Sequence, residues 1–370
     1  MPEAYTHIRI ARAALRAARS VVPSDAAYEM GANGPDPLFV GALPQKNGAC
    51  PMAALGTRLH TEKCGAFLMA LLQYAKTPVQ RSYALGFLTH YAADTTLHPY
   101  VAACAAEGGP YARAAGHGFC ESALDSFFYE NDTGARAVPV DAAAPRLTPK
   151  ELAEICALLR HSMRTVYEVE VSALALSDAF GHFHLLHTCS YSPHGGKKLL
   201  ARAVDALVLH KKDLALSHIS PCKPPKDGFP AAWHDPFRDA DRTGGPHALC
   251  LQAAKRAAGY LAAATRMWQR TITPAQCFHL LGSNDYYTGL PCTARKAAQP
   301  VAENAPQTAQ TNAFTAVPNP PLPAASPAAV PPKTAAQASA PVQAPQQAVP
   351  NALAAAPAAQ EQPVPPAQST

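Results

Sequence analysis

The amino-acid sequence predicts an all-α fold, a multi-helix bundle followed by a disordered C-terminal tail. Three observations carry that expectation. Segments rich in Ala and Leu, with apolar residues at helical intervals, recur to about residue 290. β-Branched runs with strict alternation are scarce. From about residue 297 the composition turns to Pro, Ala, Gln, Ser and Thr with few large apolar groups, which cannot bury enough area to balance the entropy of ordering. Two domains follow: a helical domain over 1–296 and a partly polyproline-II tail over 297–370.

The helical segments are expected, in order, at 4–19, 52–75, 78–105, 117–129, 149–179, 196–216 and 246–270. One start is explicit. In "TPKELAEICALLRH", Thr148 is placed to cap, Pro149 fits the first turn, and Glu151 follows three residues after the cap. Loops are expected at "GANGPDPLFVGALPQKNGACP" (31–51), "GGPYARAAGHG" (108–118) and "SPCKPPKDGFPAAWHDPFRDADRTGGP" (220–246). The last is long for a compact domain.

Composition excludes several functions. The 370 residues carry a formal net charge of +5 with 15% charged residues and no long Lys/Arg run, so nucleic acid is not an expected partner. The 10 cysteines are spread singly without a CxxC pair, which removes support for redox or zinc-ribbon motifs. "MPEAYTHIRIARAALRAARS" is amphipathic and lacks an apolar core of the secretory kind, so a cytoplasmic location with reduced thiols is expected. No apolar run reaches the roughly 18 to 20 residues of a transmembrane helix.

The chemistry gathers in "LGFLTHYAADTTLHPYV" (85–101), where His90, Asp94 and His98 stand four residues apart. That spacing stacks them on one helical face, with Cβ atoms about 6 Å apart. In "GHGFCESALDSFF", His117 and Glu121 repeat the spacing. Imidazole nitrogen and carboxylate oxygen are ligands that Zn²⁺ accepts. Each group alone has a plainer explanation, a hydrogen-bonded core histidine or a helix ion pair. Together they do not, because burying several uncompensated polar groups costs a few kcal/mol each, and a dication with fixed ligands balances that cost. His7 near the first helix start, Asp36 in "GANGPDPLF" and His60 in "MAALGTRLHTEKCGAFLMALLQ" are further candidates.

Taken in order, "GPDPLF", a His on the next helix, "HYAADTTLHPYV" and the His-x3-Glu pair resemble the zinc-dependent phospholipase C family, in the wider group that includes S1/P1-type nucleases. "WHDPFRDADR" (233–242) and "SNDYYTGLP" (283–291) are similar to later pieces of the phospholipase C branch. The resemblance covers roughly 1–292 and leaves the tail uncovered. It implies a helical bundle of phospholipase C/P1 nuclease type. It also implies one zinc on Asp36, His60, His90 and Asp94, a second on His98, His117 and Glu121, and a third shared by His7 and Asp94.

Two departures bear on those sites. Secreted members complete the third site with a processed N-terminal Trp, whereas this chain reads Met1-Pro2. Two zinc ions are therefore expected, and the third site is left open. Secreted toxin-like members also place five residues between the bridging Asp and the next His. Here Thr95, Thr96 and Leu97 alone intervene, which keeps helical phase.

The expected reaction is attack on a phosphodiester by a metal-bridging hydroxide, with Asp36 either orienting that water or serving as a plain ligand. The expected substrate is a phospholipid headgroup. Two other readings stay open: a zinc-stabilised scaffold whose tail recruits Pro-recognising partners, and a nuclease, which would want a basic groove with aromatic platforms. Around 90–121 that groove is not evident, with Tyr91, Tyr100 and Phe119 among the few aromatics nearby in sequence. His182, His184 and His187 read as helix-end or supporting histidines, "HGGKK" (194–198) as a helix start, and Trp233 and Trp268 as packing residues. Tyr286 and Tyr287 fit either the core or the cleft.

Overall fold

The computed structural model describes residues 4–41 and 51–292. The expected tail and its boundary at 296/297 lie outside the described residues. Thirteen α-helices follow in chain order: α1 Ala4–Ala18, α2 Asp25–Gly31, α3 Pro51–Thr61, α4 Cys64–Tyr74, α5 Pro78–Ala105, α6 Gly116–Thr133, α7 Val140–Ala143, α8 Pro149–Tyr167, α9 Ala173–Ser190, α10 Lys197–Val204, α11 Leu214–Ser217, α12 Pro246–Trp268 and α13 Pro274–Leu281. A 3₁₀ turn at Asp36–Val40 and a π turn at Asp205–Leu209 join them. All-α is thus the class found, with one exception. Inside the segment expected as a long loop, β1 (Ala232–Asp235) and β2 (Ala240–Thr243) pair antiparallel, Trp233 opposite Arg242.

α5 is the axis of the fold. Thr77 caps it with Gln80 in a reciprocal box and Pro78 occupies its first turn. From Ser82 to Val101 every residue is buried, so the helix is wrapped by other helices rather than by water. Helices α1, α2, α4, α6, α8 and α12 all pack on it. Pro99 lies inside α5 and cannot donate to the Thr95 carbonyl. Gly289, at φ +66°, comes against that carbonyl, where a Cβ would stand 2.5 Å from the oxygen. The segment after α13 thereby reaches the axis.

Three expected helices are interrupted. The 52–75 segment divides at Lys63 (φ 50°), and 149–179 divides after α8 at Glu168 (φ 58°). Segment 196–216 passes through the π turn and breaks at His210 (φ 49°). Left-handed backbone at each break ends the hydrogen-bond ladder, and Ser172 then caps α9 anew. The Thr148–Glu151 capping box of α8 is present as expected. Trp233 and Trp268 are half-buried packing residues whose indole N–H groups donate to Gly244 and Leu72 carbonyls.

Candidate metal centre

Five segments aim side chains at one buried volume. α1 brings His7, the 3₁₀ turn Asp36, α3 His60, α5 the row His90, Asp94 and His98, and α6 the pair His117 and Glu121. All eight candidates from the sequence arrive there. Their ligand atoms fall into three groups with members within 4.8 Å of one another: His7, Asp36 and His90; His60, His90 and Asp94; His98, His117 and Glu121.

α1 is held in place by Asp125 of α6. Its carboxylate accepts from the Tyr5 and Thr6 backbone N–H groups at 3.1 and 2.8 Å and from the Thr6 hydroxyl at 2.7 Å. A helix start satisfied in this way fixes the entry of His7. The Asp36 turn passes over His90 through Gly34, at φ +52°. A Cβ on Gly34 would run into the His90 ring, so this position excludes side chains on two grounds.

The imidazoles are oriented by backbone carbonyls. Nδ1 of His60 donates to Gly56 O at 2.8 Å, Nδ1 of His90 to Ala32 O at 3.1 Å, and Nδ1 of His98 to Tyr286 O at 3.2 Å. A carbonyl only accepts, so the proton sits on Nδ1 and Nε2 carries a lone pair. Those lone pairs face carboxylates. Asp94 Oδ2 lies 3.0 Å from His90 Nε2 and 3.6 Å from His60 Nε2, and Asp94 Oδ1 lies 3.4 Å from His7 Nε2 and 3.6 Å from His98 Nε2. Asp36 Oδ1 stands 3.3 Å from His60 Nε2. Glu121 Oε1 is 3.4 Å from His98 Nε2 and 2.8 Å from His117 Nε2.

Among the described residues, neither Asp94 oxygen, nor His90 Nε2, is in hydrogen-bond geometry with any group, and Asp94 is 1% exposed. A buried carboxylate ringed by lone pairs is repulsive unless a cation stands between them. The donor set, imidazole nitrogens and carboxylate oxygens with carbonyl-anchored Nδ1 atoms, is the set that suits zinc. The residues therefore fit the metal. Without a metal, protons on the histidines supply that positive charge: against its burial, Asp94 and Asp36 raise His90 above its ordinary value. Burial pushes the His7 imidazole down to about 4, which leaves it neutral. Burial alone would raise the carboxyls of Asp94 and Asp36. The surrounding histidines, His90 foremost, instead hold both below their ordinary values. Glu121 is likewise held well down, against its burial, chiefly by His117.

The centre opens at one end, where the His117 side chain is 31% exposed against 3% or less for His7, His90 and Asp94. Tyr287 lies over that opening, its ring centroid 5.6 Å from His117 and 5.8 Å from His98, with Phe237 5.3 Å beyond. The two tyrosines left open by the sequence thus divide: Tyr287 lines the mouth, while Tyr286 is fully buried against His60, His90 and Tyr91. The support behind them comes from "WHDPFRDADR", singled out in the sequence by resemblance but without a role for its residues. Buried Asp235 in the hairpin binds Arg238 at 3.0 Å, and Arg238 donates to the carbonyls of Thr288 and Gly289 at 3.1 and 2.8 Å. His184 Nδ1 lies 3.1 Å from Ala144 O.

A helical bundle built around a buried histidine–carboxylate cluster with one open end is a candidate metal centre of the hydrolytic kind. Residues 6–163 match the family model described as "Zinc dependent phospholipase C". That stretch contains every one of the eight side chains and supports a zinc-dependent hydrolase. Comparison with curated proteins and with solved structures gave no match. The expected Pro-recognising partners find no support, and the segment that would recruit them lies outside the described residues.

Proposed function

We propose that the protein is a zinc-dependent phosphodiesterase of phospholipase C type that releases the headgroup of a phospholipid. The observation that carries the reading is Asp94, a buried carboxylate facing four imidazole Nε2 atoms from three helices, without a hydrogen bond among the described residues. His98, His117 and Glu121 would hold one ion. Asp36, His60, His90 and Asp94 would hold a second, and His7 with Asp94 flank the place of a third. Bound there, zinc would polarise phosphoryl oxygens and bring the pKa of water towards neutrality.

The chain's own groups do the rest. Asp36, held ionised by His90 and His60, is the proposed acceptor of the attacking water's proton. Carbonyls of Ala32, Gly56 and Tyr286 keep the imidazoles in one tautomer. Tyr287 and Phe237 border the mouth through which the phosphodiester would enter.

The test combines elemental analysis with hydrolysis of p-nitrophenylphosphorylcholine. Wild-type protein is expected to hold zinc and turn over. Asp94→Asn is expected to lose zinc and, on the order of a hundredfold or more, activity. Zinc-loaded wild type that cleaves no phosphodiester would favour a metal-stabilised scaffold instead.

A further inference from the structure

Away from the metal centre, the stretch from α10 through the π turn to α11 exposes a run of large apolar side chains. Leu199 and Leu207 are each 75% exposed, Val208 67%, Leu200 63% and Leu214 41%. Isolated exposed leucines are ordinary, but a contiguous set marks a surface that meets something apolar. Basic residues frame this set: Lys197, Lys198 and Arg202 on α10, and Lys211 and Lys212 after the π turn. The acidic residues within the stretch do not cancel them at the surface. Asp205 is buried and accepts from the Ala215 and Leu216 backbone N–H groups at 2.6 and 3.0 Å. Asp213 is engaged by Arg113 at 3.3 Å.

We propose that this face is a docking surface for a bilayer that contains anionic phospholipids. Apolar side chains flanked by lysines suit the headgroup boundary, where the former enter the acyl region and the latter meet lipid phosphates. The proposal rests on the phospholipid reading above, since a centre that cleaves headgroups must meet them in a membrane. Placement agrees. At the end of α11 the Ser217 carbonyl accepts from the Ser122 hydroxyl at 2.6 Å, and Ser217 packs against Gly118. The docking face therefore borders α6, the helix that presents His117 at the open end of the centre.

The experiment is co-sedimentation of the full zinc-loaded chain with vesicles of phosphatidylcholine, alone or with phosphatidylglycerol. Binding is expected to be much stronger to the anionic vesicles. The double substitution L207S/V208S should weaken it on the order of a hundredfold. K211Q with K212Q should weaken it by roughly tenfold or more, and on anionic vesicles only. Both variants should keep wild-type zinc content and p-nitrophenylphosphorylcholine turnover, which separates lost docking from lost folding. Wild type that stays in the supernatant, or variants that sediment like wild type, overturns the proposal. So does a wild-type dimer that L207S/V208S dissociates in the absence of vesicle binding, since that assigns the face to a second copy. Vesicle binding lost in the variants, with no headgroup released, upholds the surface and overturns the substrate reading.

Discussion

Gly34 stands where no side chain can. Its φ of +52° is costly for other residues, and a Cβ would enter the His90 ring. Gly34→Ala is expected to cost on the order of 2 kcal/mol in urea unfolding and to lower zinc content, although Gly34 offers no ligand atom. A variant with wild-type unfolding and zinc content would show that His90 does not need that close approach. At this scale the sequence was informative where residue type carries the chemistry. His90, Asp94 and His98 declare themselves by spacing, as do His117 and Glu121. His7, Asp36 and His60 stand out as further candidates, but only the ordered resemblance assigns them to particular ions, because they come from separate elements. The carbonyls of Ala32, Gly56 and Tyr286 were illegible, since every residue type has a carbonyl and its use depends on tertiary placement.

At the scale of elements, α1 meets α6 through Asp125, and that contact is pH-dependent. Burial pushes the Asp125 carboxyl from 3.8 up to about 7, against the hydrogen bonds from Thr6 and Tyr5. A carboxyl with a raised folded-state pKa favours folding below its unfolded value. That contribution is lost as pH rises through about 7. Metal-stripped wild type should therefore lose stability between about pH 4 and about pH 7, and Asp125→Asn should flatten that slope. Parallel slopes in thermal melts of the two proteins would remove Asp125 from the account. Elements were legible where a start has a signature, as in the Thr148–Glu151 box. The breaks at Lys63, Glu168 and His210 were not, because left-handed backbone usually announces itself with Gly or Asn and here falls on other residues. The hairpin was missed for a related reason. Its four-residue strands are largely polar, and buried Asp235 with Arg238 and Arg242 does the work that apolar alternation does elsewhere. The exposed apolar residues of 196–216 are legible only as part of a helix, since apolar residues in a helix look alike whether they face the core or solvent.

For the molecule as a whole, the metal centre and the fold are one energetic unit. Helix α5 is buried for most of its length, and it carries three of the eight polar groups in the cluster. Without a metal those groups leave a desolvated carboxylate among imidazoles that must take up protons to balance it at the centre of the bundle. With one, binding to the folded state alone adds stability that grows with occupancy, about 4 kcal/mol at a thousandfold excess over the dissociation constant. Chelation should then lower the melting temperature by roughly 10 °C at neutral pH. The sign of the pH effect follows from the ligands. Protons compete for the same Nε2 lone pairs, so affinity falls as pH drops through the histidine range. The melting difference between zinc-loaded and chelated protein should therefore shrink from about pH 7 to about pH 5. Burial holds the His7 imidazole near 4, so it stays neutral across that range. Calorimetry with and without chelator at both pH values measures the difference directly. Identical melts at neutral pH would mean that the eight side chains reach their buried positions without help from a metal, and the cluster would then need another explanation for its cost.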